Sequence, residues 1–164
     1  MAFAYLGIGS NVGDREANIH KALAFLGEHE DIDLLKVSGL IETDPVGGPP
    51  QGKFLNAAAK IKTTLSPLDL LTQLKIVERR LGRVKGAPKN SPRPMDLDIL
   101  FYDDVVIVEG KNLTIPHPRL AERDFVLTPL AEIEPELLHP RLGQTVAQLH
   151  DRLRDESHTP APGA

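Results

Sequence analysis

The tightest constraint on this chain is the run Pro92-Arg93-Pro94-Met95-Asp96-Leu97-Asp98-Ile99-Leu100-Phe101-Tyr102. Asp96 and Asp98 alternate with Leu97 and Ile99, and the apolar run continues through Leu100 and Phe101. Alternation of this kind is a strand signal, so both carboxylates should project from one face with their bases roughly 6.5–7 Å apart. Two like charges on an apolar strand repel each other and resist burial unless a cation lies between them. Carboxylate oxygens favour hard cations such as Mg2+, and a pair of such ions is a recurrent device of phosphoryl-type transfer. Just upstream, Arg93 stands between two prolines that restrict the backbone around it. A guanidinium on a stiffened loop beside two cation-seeking carboxylates suits a polyphosphate. The plain alternative is an edge strand with two solvated aspartates, and the arginine loop and apolar run weigh against it.

A strand this apolar needs a sheet beside it and helices over it. Ala2 to Ile8 reads as a buried strand running into a Gly9-Ser10-Asn11-Val12-Gly13 turn. Asp14 can cap a helix to about Glu28, with Ala17, Ala22, Leu23, Phe25 and Leu26 as its apolar surface. A Gly-Ser turn between strand and helix could cradle phosphate, but tight turns use the same residues, and the turn reading is preferred. Ile32 to Thr43 reads as one long strand, followed by a loop dense in proline and glycine from Asp44 to Gly52. Phe54 to Thr63 returns as a strand that sets Phe54 and Asn56 on one side. A ring beside an amide can stack on and hydrogen-bond a flat heterocycle, although a core Phe with a turn-bonding Asn is the commoner meaning. Ser66, Pro67 and Asp69 open a helix, Leu70, Leu74, Val77 and Leu81 form its stripe, and Gly82 stops it. Arg79, Arg80, Arg83 and Lys85 gather at its end, where the helix dipole also welcomes them. Arg83 and Lys85 in addition open the loop leading to Arg93.

Beyond Tyr102, Asp103-Asp104 reads as a hairpin turn into a strand from Val105 to Glu109. Leu113 to Ile115 is a short strand, and Pro116 and Pro118 then present His117 rigidly beside Arg119 and Arg123, as a candidate phosphate contact. A helix within Ala121 to Ile133 carries Phe125, Leu127 and Leu130 inward, interrupted or bent near Pro129, and Thr145 caps a last helix, Val146 to Leu153. Residues 155–164 are expected to form a disordered tail, leaving one domain over 1–154. Interleaved strands and helices together with hairpins favour an α+β sandwich, helices packed on a mainly antiparallel sheet.

Composition excludes several classes. The 164 residues contain no cysteine, so disulfides and thiolate metal sites are ruled out. A net charge of −4 argues against a general nucleic-acid coat, and aromatics at 4% against a stacking RNA-binding sheet. No apolar run approaches ~18 residues and the start lacks a basic, cleavable leader, so a cytoplasmic chain with no membrane partner is expected. A polymerase-like nucleotidyltransferase would place its Gly-Ser turn close to the aspartate pair, and here Gly9-Ser10 lies far upstream.

Taken together these motifs resemble the 6-hydroxymethyl-7,8-dihydropterin pyrophosphokinases of folate biosynthesis (HPPK). The resemblance is carried by Ala4 to Asn11, Phe54-Leu55-Asn56-Ala57-Ala58, Glu78 with Leu81-Gly82-Arg83, Pro92 to Ile99, and Ile115-Pro116-His117-Pro118-Arg119. It implies a ferredoxin-like α+β fold, usually monomeric, that uses ATP and two Mg2+ ions to pyrophosphorylate the pterin hydroxymethyl group and release AMP. By the same resemblance Asp96 and Asp98 would ligate both ions. Arg83 and Arg93 would hold the triphosphate, with Glu78, Lys85, His117 and Arg123 also at the nucleotide. Ile99, Leu113 and Thr114 would line the adenine site. Phe54 and Phe125 would sandwich the pterin, and Asn56 with Thr43, Asp44, Pro45 and Val46 would meet its edge. Such a transfer depends on positioning and charge neutralisation more than on covalent help, so no covalent intermediate is expected.

Overall fold

Alternating burial along two long neighbouring strands sets the architecture in this computed structural model, which describes residues 1–45, 50–82, 92, 94–109 and 113–158. The strands are β1 (Ala2–Ser10) and β4 (Phe54–Thr63), paired antiparallel from Ala2↔Thr63 to Ser10↔Leu55. On one face Ala4, Leu6 and Ile8 of β1 join Ala57, Ala59 and Ile61 of β4. They are covered by Ile19, Ala22 and Leu26 of α1 (Arg15–Glu28) and by Leu70, Leu74 and Val77 of α2 (Pro67–Arg80). On the other face Tyr5 and Ala58 pack under α3 (Asp124–Ile133) and α4 (Val146–His158) through Leu127, Leu130, Val146 and Leu149. Burying each such aliphatic side chain contributes about 1.5–3 kcal/mol, so the two apolar faces fix which way every strand points.

Beyond β4 lie β2 (Ile32–Val37) and β3 (Ile41–Thr43), both antiparallel to it, and beyond β1 lies β5 (Asp96–Tyr102), giving the order β2-β4-β1-β5. Every pairing in this five-stranded sheet is antiparallel, and with helices on both faces the chain is the α+β sandwich expected. Caps act where the sequence put them. Asp14 accepts from the Ala17 N–H, Ser66 from the Asp69 N–H, and Thr145 exchanges bonds with Gln148 in a capping box. Gly82, at φ +101°, takes the left-handed conformation just past α2.

Five expectations need correction. The single strand over Ile32–Thr43 is two, β2 ending at Val37 and β3 starting at Ile41, although the Ser38 N–H still donates to the Ala58 carbonyl. Ser38 Oγ accepts from the Ala58 N–H and donates to the Gly39 carbonyl, while the Gly39 N–H turns to Glu132. Gly9 and Ser10 are not a turn but the last residues of β1. Asp103-Asp104 does turn, but β6 (Ile107–Glu109) pairs with β7 (Leu113–Ile115) in a separate ribbon, not with β5. Asp103 is spent on β1, its N–H donating to the Phe3 carbonyl and its carboxylate accepting from the Phe3 N–H. The helix expected within Ala121–Ile133 is a 3-10 turn (Leu120–Glu122) and then α3. The break falls at the extended Arg123, and α3 runs on through Pro129. Finally, α4 continues to His158, with an Arg152–Glu156 pair one turn apart past the expected end at Leu153. Residues 155–158 are therefore helical, and the rest of the expected tail lies outside the described residues.

Candidate active site

The aspartate strand meets two glycines. In the β1–β5 ladder Asp96 is opposite Gly9 and Asp98 opposite Gly7, while across β1 the same glycines face Asn56 and Ala58 of β4. Two rows therefore run across the sheet on one face, Asn56–Gly9–Asp96 and Ala58–Gly7–Asp98. With no side chain on either glycine, the middle of the rows stays low, open at Gly9 and covered at Gly7 by the Leu100 side chain, 3.4 Å from where a Cβ would stand. A Cβ at Gly9 would lie 3.0 Å from Asn56 Oδ1 and 3.4 Å from the Phe54 ring, so any other residue would fill the space. Above this floor stand Phe125 and Val126 of α3, and at the side Thr43 and Asp44, enclosing a cleft of ≈ 700 Å³ including its mouth.

Phe54 and Asn56 are nearly buried, at 9% and 7% exposure, and both line this cleft, as their shared strand face requires. Asn56 Nδ2 donates to Thr43 Oγ1 at 2.5 Å, which fixes the amide and turns Oδ1 toward Gly9. Phe125, expected to point inward with Leu127 and Leu130, instead stands half-buried at the cleft wall. The helix begins only at Asp124, so Phe125 lies on its first turn, facing the site. Arg123 stacks its guanidinium over the Phe125 ring, 5.5 Å from the centroid.

A second cleft, of ≈ 580 Å³, lies along β5 and is lined by Leu71, Lys75, Ile99, Leu113, Thr114 and Pro118 together with Asp98 and His117. Ile99, Leu113 and Thr114 are thus gathered as expected. Asp98 and His117 line both clefts, so the two spaces meet at these side chains. Loss of hydration, followed by the neighbouring Asp96 charge, raises the Asp98 carboxyl to about 7. His117 is lowered to about 4, by burial first and then by Arg123, so its imidazole is neutral at physiological pH. Its Nδ1 accepts from the Arg119 N–H at 3.2 Å, which places the ring hydrogen on Nε2. Its own N–H donates to the Leu100 carbonyl, tying the Pro116–Pro118 segment to β5.

Glu78 lines neither cleft. It is 2% exposed, and its Oε2 accepts from the Leu97 N–H at 2.8 Å, between the two aspartates, while Oε1 pairs with Lys75 Nζ at 3.2 Å. With these two contacts it holds β5 and Lys75. Pro45 lies in the described chain without lining either cleft. Val46, Arg83, Lys85 and Arg93 lie outside the described residues. Among the described residues no cluster of three or more acidic, His or Cys side chains forms a self-contained metal cage. Two carboxylates on one face, one of them holding its proton to about 7 because it is buried beside the other, nevertheless suit Mg2+, which takes one or two carboxylates and completes its shell with substrate phosphate and water. Sequence reading missed Gly7, Gly9 and Lys75. The readable signal was a pair of glycines two apart inside an apolar strand, a place where a ligand approaches backbone.

The comparisons with known proteins agree with this geometry. Residues 5–135 match the family described as 7,8-dihydro-6-hydroxymethylpterin-pyrophosphokinase (HPPK). The chain is 48% identical over 130 residues to the 2-amino-4-hydroxy-6-hydroxymethyldihydropteridine pyrophosphokinase of Bacillus subtilis, covering 79% of this chain and 77% of that one. To the protein of the same name from Aquifex aeolicus it is 49% identical over 140 residues, 85% of each. The folic acid synthesis protein fol1 of Schizosaccharomyces pombe is 45% identical over 150 residues, and the 92% of this chain that aligns spans only 20% of that longer protein. In fold, the HPPK-DHPS protein solved in complex with substrates superposes with a TM-score of 0.77 at 16% identity, over 95% of this chain and 44% of the other. The chain therefore belongs to the 7,8-dihydro-6-hydroxymethylpterin-pyrophosphokinase family.

Proposed function

We propose that this chain transfers the β,γ-pyrophosphoryl unit of ATP to the hydroxymethyl oxygen of 6-hydroxymethyl-7,8-dihydropterin, releasing AMP, as a step of folate biosynthesis. The observation that carries this is the meeting of two clefts at Asp98 and His117: one suits a flat polar heterocycle, the other an apolar base. A pterin fits the first, with Phe54 and Phe125 offering ring faces and Asn56 Oδ1 an acceptor for its rim. Adenine fits the second, against Leu71, Ile99 and Leu113. The triphosphate then runs toward Asp98 and His117.

Asp96 and Asp98 would hold the Mg2+ ions, two by family resemblance, and when bound these would neutralise phosphate charge and polarise the phosphorus centre. The chain's own groups do the remaining work. His117 offers a neutral Nε2–H to a phosphate oxygen, and its occupied Nδ1 does not act as a base. Arg123, stacked on Phe125, stands where the pterin and phosphate sides join, while Arg83, Lys85 and Arg93 would add positive charge from the loop between α2 and β5. Glu78 and Lys75 keep the middle of the aspartate strand in place. In the transfer the alcohol oxygen bonds to the β-phosphorus and the bridge to the α-phosphate breaks, so AMP carries away the electrons of that bond and the alcohol proton passes to water. Holding the two substrates in line supplies much of the rate.

The proposal includes a single catalytic domain over 1–154, acting as a cytoplasmic monomer with no nucleic-acid or membrane partner. Among the described residues no helix is long and apolar enough to cross a membrane. Incubation with ATP, Mg2+ and the hydroxymethyl pterin, followed by identification of the products, tests the chemistry. AMP and a pterin diphosphate are expected; ADP would mean single phosphoryl transfer, and free pyrophosphate would mean nucleotidyl transfer.

A further inference from the structure

The connection from β3 to β4 leaves the sheet at Thr43 and returns at Phe54, and these two residues are both the last ladder pair and walls of the first cleft. Among the described residues the ladder ends at that pair. The start of α1 grips the mouth of the connection beyond it. Arg15 Nη2 pairs with Glu42 Oε2 at 3.0 Å on β3, and Nη1 donates to the Lys53 carbonyl at 2.8 Å, one residue before β4. One planar guanidinium thus spans both strands at the open end, a geometry its fixed fork allows and a lysine could meet only by half. Lys53 in turn pairs through Nζ with Asp44 of the cleft wall at 3.8 Å. Asn11, nearly buried, adds to the same grip, its Nδ2 donating to Gln51 Oε1 and the Gly52 carbonyl.

We propose that Arg15 is a positioning residue for the pterin cleft: a clasp from α1 that sets the spacing of Thr43, Asp44 and Phe54 without touching the substrate. The inference rests on reading the cleft lined by Phe54, Asn56 and Phe125 as the pterin site. Arg15 and Glu42 are both partly exposed, so their removal leaves the hydrophobic core as it is. In solution the clasp acts by keeping the connection from fraying, an ordering cost that the pterin would otherwise have to meet on binding.

The test measures pterin binding by the ligand's own fluorescence, alongside the KM for each substrate, in wild type, Arg15→Ala, Arg15→Lys and Glu42→Gln. Arg15→Ala should weaken pterin binding about tenfold, the size of one charge-assisted hydrogen bond. The KM for ATP and kcat should stay within about twofold of wild type, since the second cleft is untouched. Arg15→Lys and Glu42→Gln each keep one of the two contacts and should fall between. Unchanged pterin affinity in Arg15→Ala, or equal losses for pterin and ATP, would overturn the clasp. A wild-type chain that binds no pterin would overturn the cleft assignment itself, and the clasp with it. The two failures are distinct because the first appears only in the variants.

Discussion

The two clefts that meet at Asp98 are built by different means. The heterocycle end of the first, away from the Asp96 and Asp98 that also line it, is made chiefly of neutral groups fixed by the sheet: Phe54 and Asn56 locked in a ten-residue strand, the amide pinned by Thr43, and Gly9 leaving the floor open. The junction of the two clefts, where Asp96 lines the first and Asp98 lines both, is bounded by charge. Lys75 leans on Glu78, Glu78 on the Leu97 N–H, and Asp98 carries an unfavourable like-charge neighbour. The difference teaches that a flat heterocycle can be met by geometry already present, whereas a polyphosphate needs a site whose charge is unbalanced until cation and substrate arrive. One part of this site is a mould, and the other is a buried pair of like charges with Lys75 and Arg123 close by.

The sharpest break between the halves should come at the aspartates. Asp96→Ala and Asp98→Asn are each expected to lower kcat by roughly 10³, the equivalent of about 4 kcal/mol of charge stabilisation. The fold should survive both. Asp98→Asn should leave the melting midpoint unchanged or higher, because it removes a poorly hydrated charge facing another carboxylate. Steady-state kinetics beside a thermal melt decides this, and turnover near wild type in either variant would refute the cation role.

On the mould side the loss should be in affinity. Phe125→Ala and Asn56→Ala should each cost about 1.5–3 kcal/mol of pterin binding, roughly 10–100-fold, with ATP affinity little changed. Titration calorimetry with each substrate separates the two. If ATP weakens more than pterin, the assignment of the clefts is reversed.

How far this contrast was legible in the sequence follows from the same physics. Phe54–Thr63 and Asp96–Tyr102 were readable to the residue, because each is a mostly apolar run bounded by proline, glycine or paired polar residues, and α2 was readable because Ser66, Pro67 and Gly82 punctuate it. The break at Ser38-Gly39 was not, since it is made by Ala58 and Glu132, partners distant in the chain. The pairing of β6 with β7 was hidden for a similar reason: Asp103 is tied to Phe3, a hundred residues away. Asp96, Asp98, Phe54 and Asn56 announced themselves by spacing on one face. Lys75 did not, because a lysine on the polar side of a helix looks like any solvated one until Glu78 and the cleft are placed beside it.

The charged half also predicts a pH signature. Without a cation, folded Asp98 keeps its proton to about 7, whereas an unfolded aspartate releases it near 3.9. The folded state binds more protons between those values, so this group's contribution to stability is present at low pH and is lost as pH rises through 7. A cation needs the carboxylate, and its binding must displace that proton. The rise in melting midpoint produced by Mg2+ should therefore be small at pH 6, grow through 7 and level off by about pH 8. A rise that is flat across this range would place the cation away from Asp98.

The smallest effect should come from the pair behind the strand. Glu78→Gln keeps an acceptor for the Leu97 N–H but removes the charge that holds the Lys75 ammonium, so β5 stays in place while Lys75 is released. Lys75 is partly exposed, and pairs of that kind contribute at most about 1 kcal/mol. The KM for ATP should rise about threefold, pterin affinity should not move, and kcat should change by less than about twofold. Glu78→Ala removes the acceptor as well and leaves the Leu97 N–H buried without this partner, at a cost of about 1–3 kcal/mol. Its damage should reach kcat, because the backbone between Asp96 and Asp98 is then no longer pinned. The contrast between the two variants separates a charge that positions Lys75 from a hydrogen bond that positions the aspartates. Equal kinetics for Gln and Ala would show that Glu78 acts through neither.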